Sequence, residues 1–156
     1  MTPAIRLLKQ AGITHRVHQY THDSAQISYG LEAAEKLGIE AERVLKTLVV
    51  KLDSGALVVG LVPVRSMLGL KAMAEAAGAK RCAMASPSEV ERVTGYVLGG
   101  VSPLGQKLKL NTYIADSAQL HSTVFISGGR RGLEIEIAPM DLAELLNAEF
   151  ASTSHS

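Results

Sequence analysis

The sequence predicts a mixed α/β, or α+β, domain with mostly antiparallel strands. Helical and strand-like stretches interleave along it. The apolar segments 44–52 and 56–62 flank Asp53-Ser54-Gly55, a turn that folds them back as a hairpin. A second turn, Ser127 to Gly132, separates strands expected at 123–127 and 133–137. These two hairpins demand antiparallel pairing, which excludes a doubly wound parallel sheet. At 156 residues, with no internal repeat or linker, the chain reads as one domain over 1–150. The small polar tail 151–156 is expected to be disordered.

Thr2 before Pro3 is an N-cap with proline at the first helical position, and the helix runs to Ala11, where Gly12 stops it. His15 to Tyr20 reads as a strand. Leu31, Ala34 and Leu37 recur at helical spacing up to Gly38. Glu40 to Arg43 makes a helical turn into the strand 44–52. Leu70 to Ala77 is helical and Arg81 to Met84 a short strand. Ser86-Pro87-Ser88-Glu89 is a capping box that starts a helix ending at Gly95. Tyr96 to Leu110 is a glycine-punctuated loop. Strands at Thr112 to Ala115 and Thr123 to Ser127 flank a helical link, Ser117 to Leu120. Leu133, Ile135 and Ile137 alternate inward, and Pro139 to Asn147 closes with an amphipathic helix.

The net charge of +1 gives no global pull towards nucleic acid or membrane. Cys82 is the single cysteine, so no internal disulfide forms, which fits a reducing, cytoplasmic setting. The N-terminus lacks the apolar core of a signal peptide, and no run approaches the roughly 20 apolar residues of a membrane span.

Lys46 is the first residue that asks for an explanation. In a strand it shares a face with Val44, Leu48 and Val50, with Leu45, Thr47 and Val49 opposite. An unpaired buried ammonium costs several kcal/mol, roughly. An ion pair or a stem reaching the rim is one reading, which the strand alone favours. A pocket lysine meeting an anionic or carbonyl group is the other. Gly95 to Lys107 is the next unusual stretch. It is not a Walker A loop, because Gln106 stands where lysine is required and Leu108 where Ser/Thr is required. What remains is a loop, Gly99 to Pro103, able to aim backbone donors at a carbonyl like an oxyanion hole, or a plain structural loop.

The other candidates are weaker. His15 and His18 fall on opposite strand faces, and His18 with His22 makes only two ligands, so no metal site is expected. His15 and His22 read as solvated strand ends, and His18 as lining whatever Tyr20 lines. Cys82 has no basic partner and reads as a small buried hydrophobe. Ser102 and Ser127 lie beside glycines without an evident base. Glu134 and Glu136 read as the wet face of a strand, or as an acid and base. The basic pairs Lys80-Arg81, Lys107/Lys109 and Arg130-Arg131 are solubilising singly, or together a phosphate-facing rim.

Several of these stretches together resemble one family. Met1 to Ala4, Tyr20, Arg43 to Thr47, Thr94-Gly95-Tyr96, Gly99 to Gln106 and Ser127 to Leu133 are similar to the YbaK/EbsC family, and within it to the type that deacylates Cys-tRNA(Pro). Relatives include an alanyl-tRNA(Pro) deacylase and the editing domain of bacterial prolyl-tRNA synthetase. The resemblance implies a barrel-like sheet with surrounding helices. It implies a free-standing cytoplasmic aminoacyl-tRNA hydrolase that clears Cys-tRNA(Pro), and Cys-tRNA(Cys), with no metal or cofactor. Prolyl-tRNA synthetase is the transient partner it implies, with no membrane and no DNA. It implies that the substrate's own thiol attacks the ester carbonyl, the tRNA leaving and a thiolactone being released. An alanine-specific deacylase, a non-catalytic tRNA- or synthetase-binding module and a hydrolase of other small esters are the alternatives.

Carried onto this chain, the resemblance makes Lys46 the essential lysine, orienting the terminal nucleotide or ester. Tyr20 lines the aminoacyl pocket, and Tyr29 stands where phenylalanine is more usual. Gly99, Gly100 and Val101 supply loop amides to the carbonyl oxygen, and Ser127 lies near the reacting group. Glu134 stands where aspartate is usual and joins the catalytic set. Thr47, Ser102, Pro103, Gly128, Gly129 and Arg130 complete the substrate-binding set.

Overall fold

The structure, a computed structural model, describes residues 1–23 and 29–155, with only the backbone of Tyr29. Helix α1 (Pro3–Ala11) starts at Thr2, whose Oγ1 accepts from the Ile5 amide at 3.3 Å, and ends at Gly12 with φ 67°. Strand β1 (Arg16–Gln19) follows, then α2 (Tyr29–Leu37) and a 3-10 turn, Ala41–Arg43. Strands β2 (Leu45–Leu52) and β3 (Leu57–Pro63) form the expected hairpin, with Lys46 opposite Val62. Next come β4 (Met67–Leu68), α3 (Leu70–Ala76), β5 (Cys82–Met84) and α4 (Pro87–Thr94), whose Ser86–Glu89 capping box is formed. A long loop leads to β6 (Thr112–Ala115) and a 3-10 turn, Asp116–Leu120. Strands β7 (Val124–Ser127) and β8 (Leu133–Ile137) make the second hairpin, before α5 (Pro139–Leu146), β9 (Glu149–Ala151) and β10 (Ser154–His155).

Among the described residues the strands form three sheets: β5-β2-β3-β6-β9, β1-β8-β7 and β10-β4. Pairing is antiparallel except β3–β6 and β6–β9. The barrel-like sheet is therefore corrected to separate sheets. The first two are bridged at Val44–Phe125, where the Val44 carbonyl is already taken by the Val64 amide at 2.9 Å.

Strand alternation sorts the core. Leu45 and Val49 pack with Leu8, Leu61, Ile126, Ile135 and Leu142 in the largest cluster. Val50 packs instead with Val58, Met73 and Tyr113, and Val44 with Ala34, Val64 and Phe125. The tail expected to be disordered is paired as far as His155. Ala151 belongs to β9, and β10 pairs with β4. Thr153 is buried, its hydroxyl donating to the Leu61 carbonyl at 3.1 Å and its carbonyl accepting from the Gly69 amide at 2.8 Å. Small side chains let this segment lie close to Gly69, where a Cβ would stand 3.0 Å from Ser154 backbone. Ser156 lies outside the described residues. No described helix is long and apolar enough to cross a membrane.

Candidate active site

A cavity of about 470 Å³ opens beside the first half of β2. On this side β2 pairs with β5 only from Val50 onward, and the Ala85 amide donates to the Val49 carbonyl at 3.0 Å. At its other end β2 is bridged to β7 at Val44. Between these points no described strand covers Leu45–Leu48. That gap in the sheet explains why residues from both faces of β2, Val44 through Val49, line one cavity. Val64, Met84, Pro87, Val90 and Leu98 supply apolar walls, and Tyr20, Gly99, Val101, Ser127, Arg131 and Glu134 close it.

Lys46 is half-buried here and forms no ion pair with a described residue. Burial pushes its pKa below the ordinary lysine value. The ion-pair reading is thereby removed for the described residues, and Lys46 lines the cavity. Beside it the Thr47 hydroxyl oxygen is buried and has no hydrogen-bond partner among the described residues. A buried hydroxyl left open at a cavity wall is a place for a ligand's polar atom.

Glu134 is 7% exposed, and no described residue donates to it. Burial pushes its carboxyl up to about 8, so it is mainly uncharged at neutral pH. The wet-face reading of Glu134 is overturned because its side chain is buried at the cavity, whereas Glu136 on the same face stays partly exposed. Tyr20 shares the cavity, its pKa raised to about 12 by burial and by Glu134 and Glu32. Its amide donates to the Gly132 carbonyl at 3.0 Å, tying the end of β1 to the β7–β8 turn. Ser127 Oγ accepts from the Gly129 amide at 3.2 Å and has no basic side chain bonded to it among the described residues.

Of the residues singled out from sequence, Lys46, Thr47, Gly99, Val101, Ser127, Glu134 and Tyr20 come together at the cavity. The Tyr29 side chain lies outside the described residues. The others lie behind the wall. The Gly100 amide is not a free oxyanion donor, because it donates to the Val97 carbonyl at 2.9 Å. A Cβ on Gly100 would stand 2.7 Å from the Arg130 Cα, so this glycine lets the loop pack on the β7–β8 turn. Ser102 is fully buried, and its Oγ accepts from the Leu104 amide at 3.2 Å. Pro103 is buried beside it. The Gly128 amide goes to the Leu133 carbonyl at 2.8 Å, and its own carbonyl accepts from Thr2 Oγ1. Gly129 packs against Tyr96 and Thr2. Arg130 is exposed and lines no part of the cavity.

His18 does not join Tyr20. Its Nε2 lies 2.9 Å from Glu136 and its ring packs on Phe125. His22 is not simply solvated, since its Nδ1 lies 2.9 Å from the buried Glu32. Cys82 is partly buried on β5, its Sγ donating to the Leu70 carbonyl at 3.1 Å. Of the basic pairs only Arg131 reaches the cavity. Sequence reasoning named Arg131 only as half of a basic pair, placed Arg130 in the substrate-binding set instead, and missed the apolar walls Val64, Met84 and Leu98. The register of the glycine turn was the available signal for Arg131, but it cannot say which of two adjacent arginines points inward.

The cavity is largely apolar, brings Lys46 together with a mainly uncharged Glu134, and shows no hydroxyl or thiol bonded to a base among the described residues. Residues 27–145 match the aminoacyl-tRNA editing domain family, and the chain belongs to that family. It is 37% identical over 150 residues, 96% of this chain and 91% of the relative, to the "Putative Cys-tRNA(Pro)/Cys-tRNA(Cys) deacylase EbsC" of Enterococcus faecalis. It is 30% identical over 113 residues, 72% of this chain and 71% of the relative, to the uncharacterized protein YwhH of Bacillus subtilis. Among solved structures it is similar to one described as "a putative trans-editing enzyme for prolyl tRNA synthetase", with TM-score 0.85, 25% identity and coverage of 100% and 99% of the two chains. A hypothetical protein of known structure gives TM-score 0.87, 27% identity and coverage of 99% and 100%.

Proposed function

We propose that this protein is an aminoacyl-tRNA deacylase that hydrolyses Cys-tRNA(Pro), and Cys-tRNA(Cys), through the substrate's own thiol. One observation carries the reading: the cavity holds cations and an uncharged carboxyl, but no described hydroxyl or thiol bonded to a base. A nucleophile supplied by the protein would need such a base. A nucleophile supplied by the substrate needs only to be held near its target, and orientation can contribute about 7–11 kcal/mol at best. The family membership and the name of the Enterococcus relative support the same activity.

In this mechanism the cysteinyl sulfur bonds to the ester carbonyl carbon. The bond from that carbon to the ribose oxygen breaks, and the thiol proton ends on the ribose oxygen, which leaves as a hydroxyl. The product is a thiolactone that water later opens. Lys46 orients the ester end of the terminal nucleotide. Glu134, holding its proton, offers an O–H to the ester rather than a repelling charge. The amides of Gly99 and Val101 face the developing oxyanion, without Gly100. An apolar pocket cannot strongly reject a smaller or isosteric side chain, so chemistry does the selecting. Recognition of tRNA(Pro) comes from proximity to prolyl-tRNA synthetase, a transient partner in this reading.

The test is hydrolysis of Cys-, Ser- and Ala-tRNA(Pro) side by side, with and without prolyl-tRNA synthetase. Cys-tRNA(Pro) is cleaved, and the other two decay at their uncatalysed rates. Rapid cleavage of Ala-tRNA(Pro) points instead to an alanine-specific deacylase. No turnover of any of the three points to a binding module.

A further inference from the structure

The strand register fixes which backbone groups face the uncovered stretch of β2. Thr47 stands opposite Leu61, and Val49 opposite Val59. In both pairs the β3 residue turns a backbone group away from β2. The Leu61 carbonyl accepts from Thr153 Oγ1 at 3.1 Å, and the Val59 amide donates to the Asn111 carbonyl at 2.9 Å. Pro63, opposite Leu45, has no amide to donate. These are therefore the pairs that exchange no hydrogen bonds across an antiparallel ladder. The backbone groups of Thr47 and Val49 point instead to the other edge of β2. The Val49 carbonyl shows this directly, accepting from the Ala85 amide at 3.0 Å. The Val44 carbonyl, of opposite parity, goes to the Val64 amide on the β3 side at 2.9 Å.

On that edge the bridge to β7 ends at Val44 and the pairing with β5 begins beyond Val49. Thr47 lies between them and lines the cavity. Its amide and its carbonyl both point to the uncovered edge, and neither has a hydrogen-bond partner among the described residues. A donor and an acceptor side by side on an open strand edge are what an added strand residue completes, exchanging both bonds with the residue it faces. An aminoacyl ester carries the matching pair. Its α-amine donates and its ester carbonyl accepts, and the two flank one carbon as the N–H and C=O of a strand residue do.

We propose that Thr47 is a catalytic residue through its backbone: the aminoacyl group docks on the open edge of β2 as a single antiparallel strand residue, its α-amine donating to the Thr47 carbonyl and its ester carbonyl accepting from the Thr47 amide. The inference rests on the deacylase reading and deepens it. The Thr47 amide adds a donor to those of Gly99 and Val101 on the developing oxyanion. This grip uses only atoms that every aminoacyl ester shares, so selection among side chains is left to the thiol.

NMR of the protein with adenosine carrying cysteine through a 3′-amide tests this without requiring turnover. Saturation with this probe is expected to slow hydrogen exchange of the Thr47 amide by at least about tenfold. The Thr47 carbonyl carbon resonance is expected to shift with the probe and to stay put with its 3-sulfanylpropanoyl counterpart, which lacks the amine. Kinetics give the second readout. Thr47→Pro deletes the donor and, at an uncovered edge, no ladder bond. Relative to Thr47→Val, which keeps the amide, its kcat/KM for Cys-tRNA(Pro) is expected to fall about a hundredfold, a usual loss for one oxyanion donor. If Thr47→Pro does not fold, α-hydroxyisovaleric acid incorporated at position 47 replaces the N–H of the valine variant by an ester oxygen and gives the same loss. A probe that does not bind, or binds with Thr47 exchange unchanged, overturns the docking. An equal carbonyl shift with and without the amine overturns the carbonyl's part. A donor-deleted protein as active as Thr47→Val overturns the catalytic role. Wild-type hydrolysis of Cys-tRNA(Pro) separates the two ideas. Protection of Thr47 without hydrolysis supports the docking and sinks the deacylase reading. Hydrolysis without protection sinks this inference alone.

Discussion

Glu134 and Glu136 lie two residues apart on β8, on the same face of the strand, yet the fold treats them in opposite ways. Glu136 is half-buried in a network. Thr123 Oγ1 donates to it at 2.6 Å, His18 Nε2 lies at 2.9 Å and the Arg43 guanidinium at 3.5 Å. The Thr123 hydrogen bond leads in holding its carboxyl below the usual range, aided by His18 and Arg43 against burial. Glu134 is more deeply buried, has no such partner among the described residues and is pushed up to about 8. Glu136 spends its hydrogen-bonding capacity inside the protein. Glu134, Lys46 and Thr47 line the cavity instead. In the proposed function this difference separates groups that hold the fold from groups that wait for a ligand.

The sharpest way to break this comparison is to remove a waiting group and a holding group in turn. Lys46→Ala is expected to fold with unchanged or slightly raised stability, because it removes a partly desolvated charge with no described partner. Its kcat/KM for Cys-tRNA(Pro) falls by roughly a thousandfold, about 4 kcal/mol of transition-state stabilisation. Arg43→Ala does the reverse. It costs about 2 kcal/mol in denaturant unfolding, since Glu136 and the Thr123 carbonyl lose a donor. Activity per folded molecule stays near wild type.

Glu134→Gln sharpens the comparison through pH. Folded Glu134 keeps its proton to about pH 8, whereas the unfolded chain loses it near the ordinary 4.5. Folding therefore takes up a proton between these values, and stability falls as pH rises through that window. The amide cannot ionise, so unfolding curves of Glu134→Gln lack this slope. The variant gains on wild type by something on the order of a few kcal/mol between pH 5 and pH 9. Glu136→Gln has the opposite sign. The Glu136 contribution, present above the ordinary carboxylate pKa, is lost as pH falls, so that variant lies closest to wild type in acid. The smallest effect belongs to Thr47→Val. With no hydrogen bond to lose among the described residues, it leaves stability within about 0.5 kcal/mol while lowering kcat/KM several-fold.

Much of the fold was legible because local chemistry and tertiary structure agree. Thr2-Pro3, the Ser86–Glu89 box and the Asp53-Ser54-Gly55 turn each specify a boundary with their own atoms. What stayed hidden depends on partners distant in the chain. Nothing local in α2 singles out Glu32, whose buried carboxylate meets the Asp23 amide, Lys36 and Arg131 only in the folded chain. Glu134 and Glu136 look alike in an alternating strand until the cavity around one and the Thr123, His18 and Arg43 partners of the other distinguish them. The tail looked too small and polar to order, but its order comes from Gly69 and Leu61 far upstream. The glycine loop was found, yet one glycine in it faces a neighbouring backbone rather than the cavity. Composition marks where backbones come close and leaves open to what.

The central claim is that this cavity holds a substrate that brings its own nucleophile. Single-turnover hydrolysis of Cys-tRNA(Pro) against its S-methylcysteinyl counterpart tests it most directly, with competition binding as the control for fit. The S-methyl ester is expected to bind comparably but to decay only at the uncatalysed rate, while the thiol ester is cleaved and releases thiolactone. Enzymatic cleavage of the S-methyl ester at a rate near that of the thiol ester would contradict it, and would require a nucleophile among the protein's own groups or water.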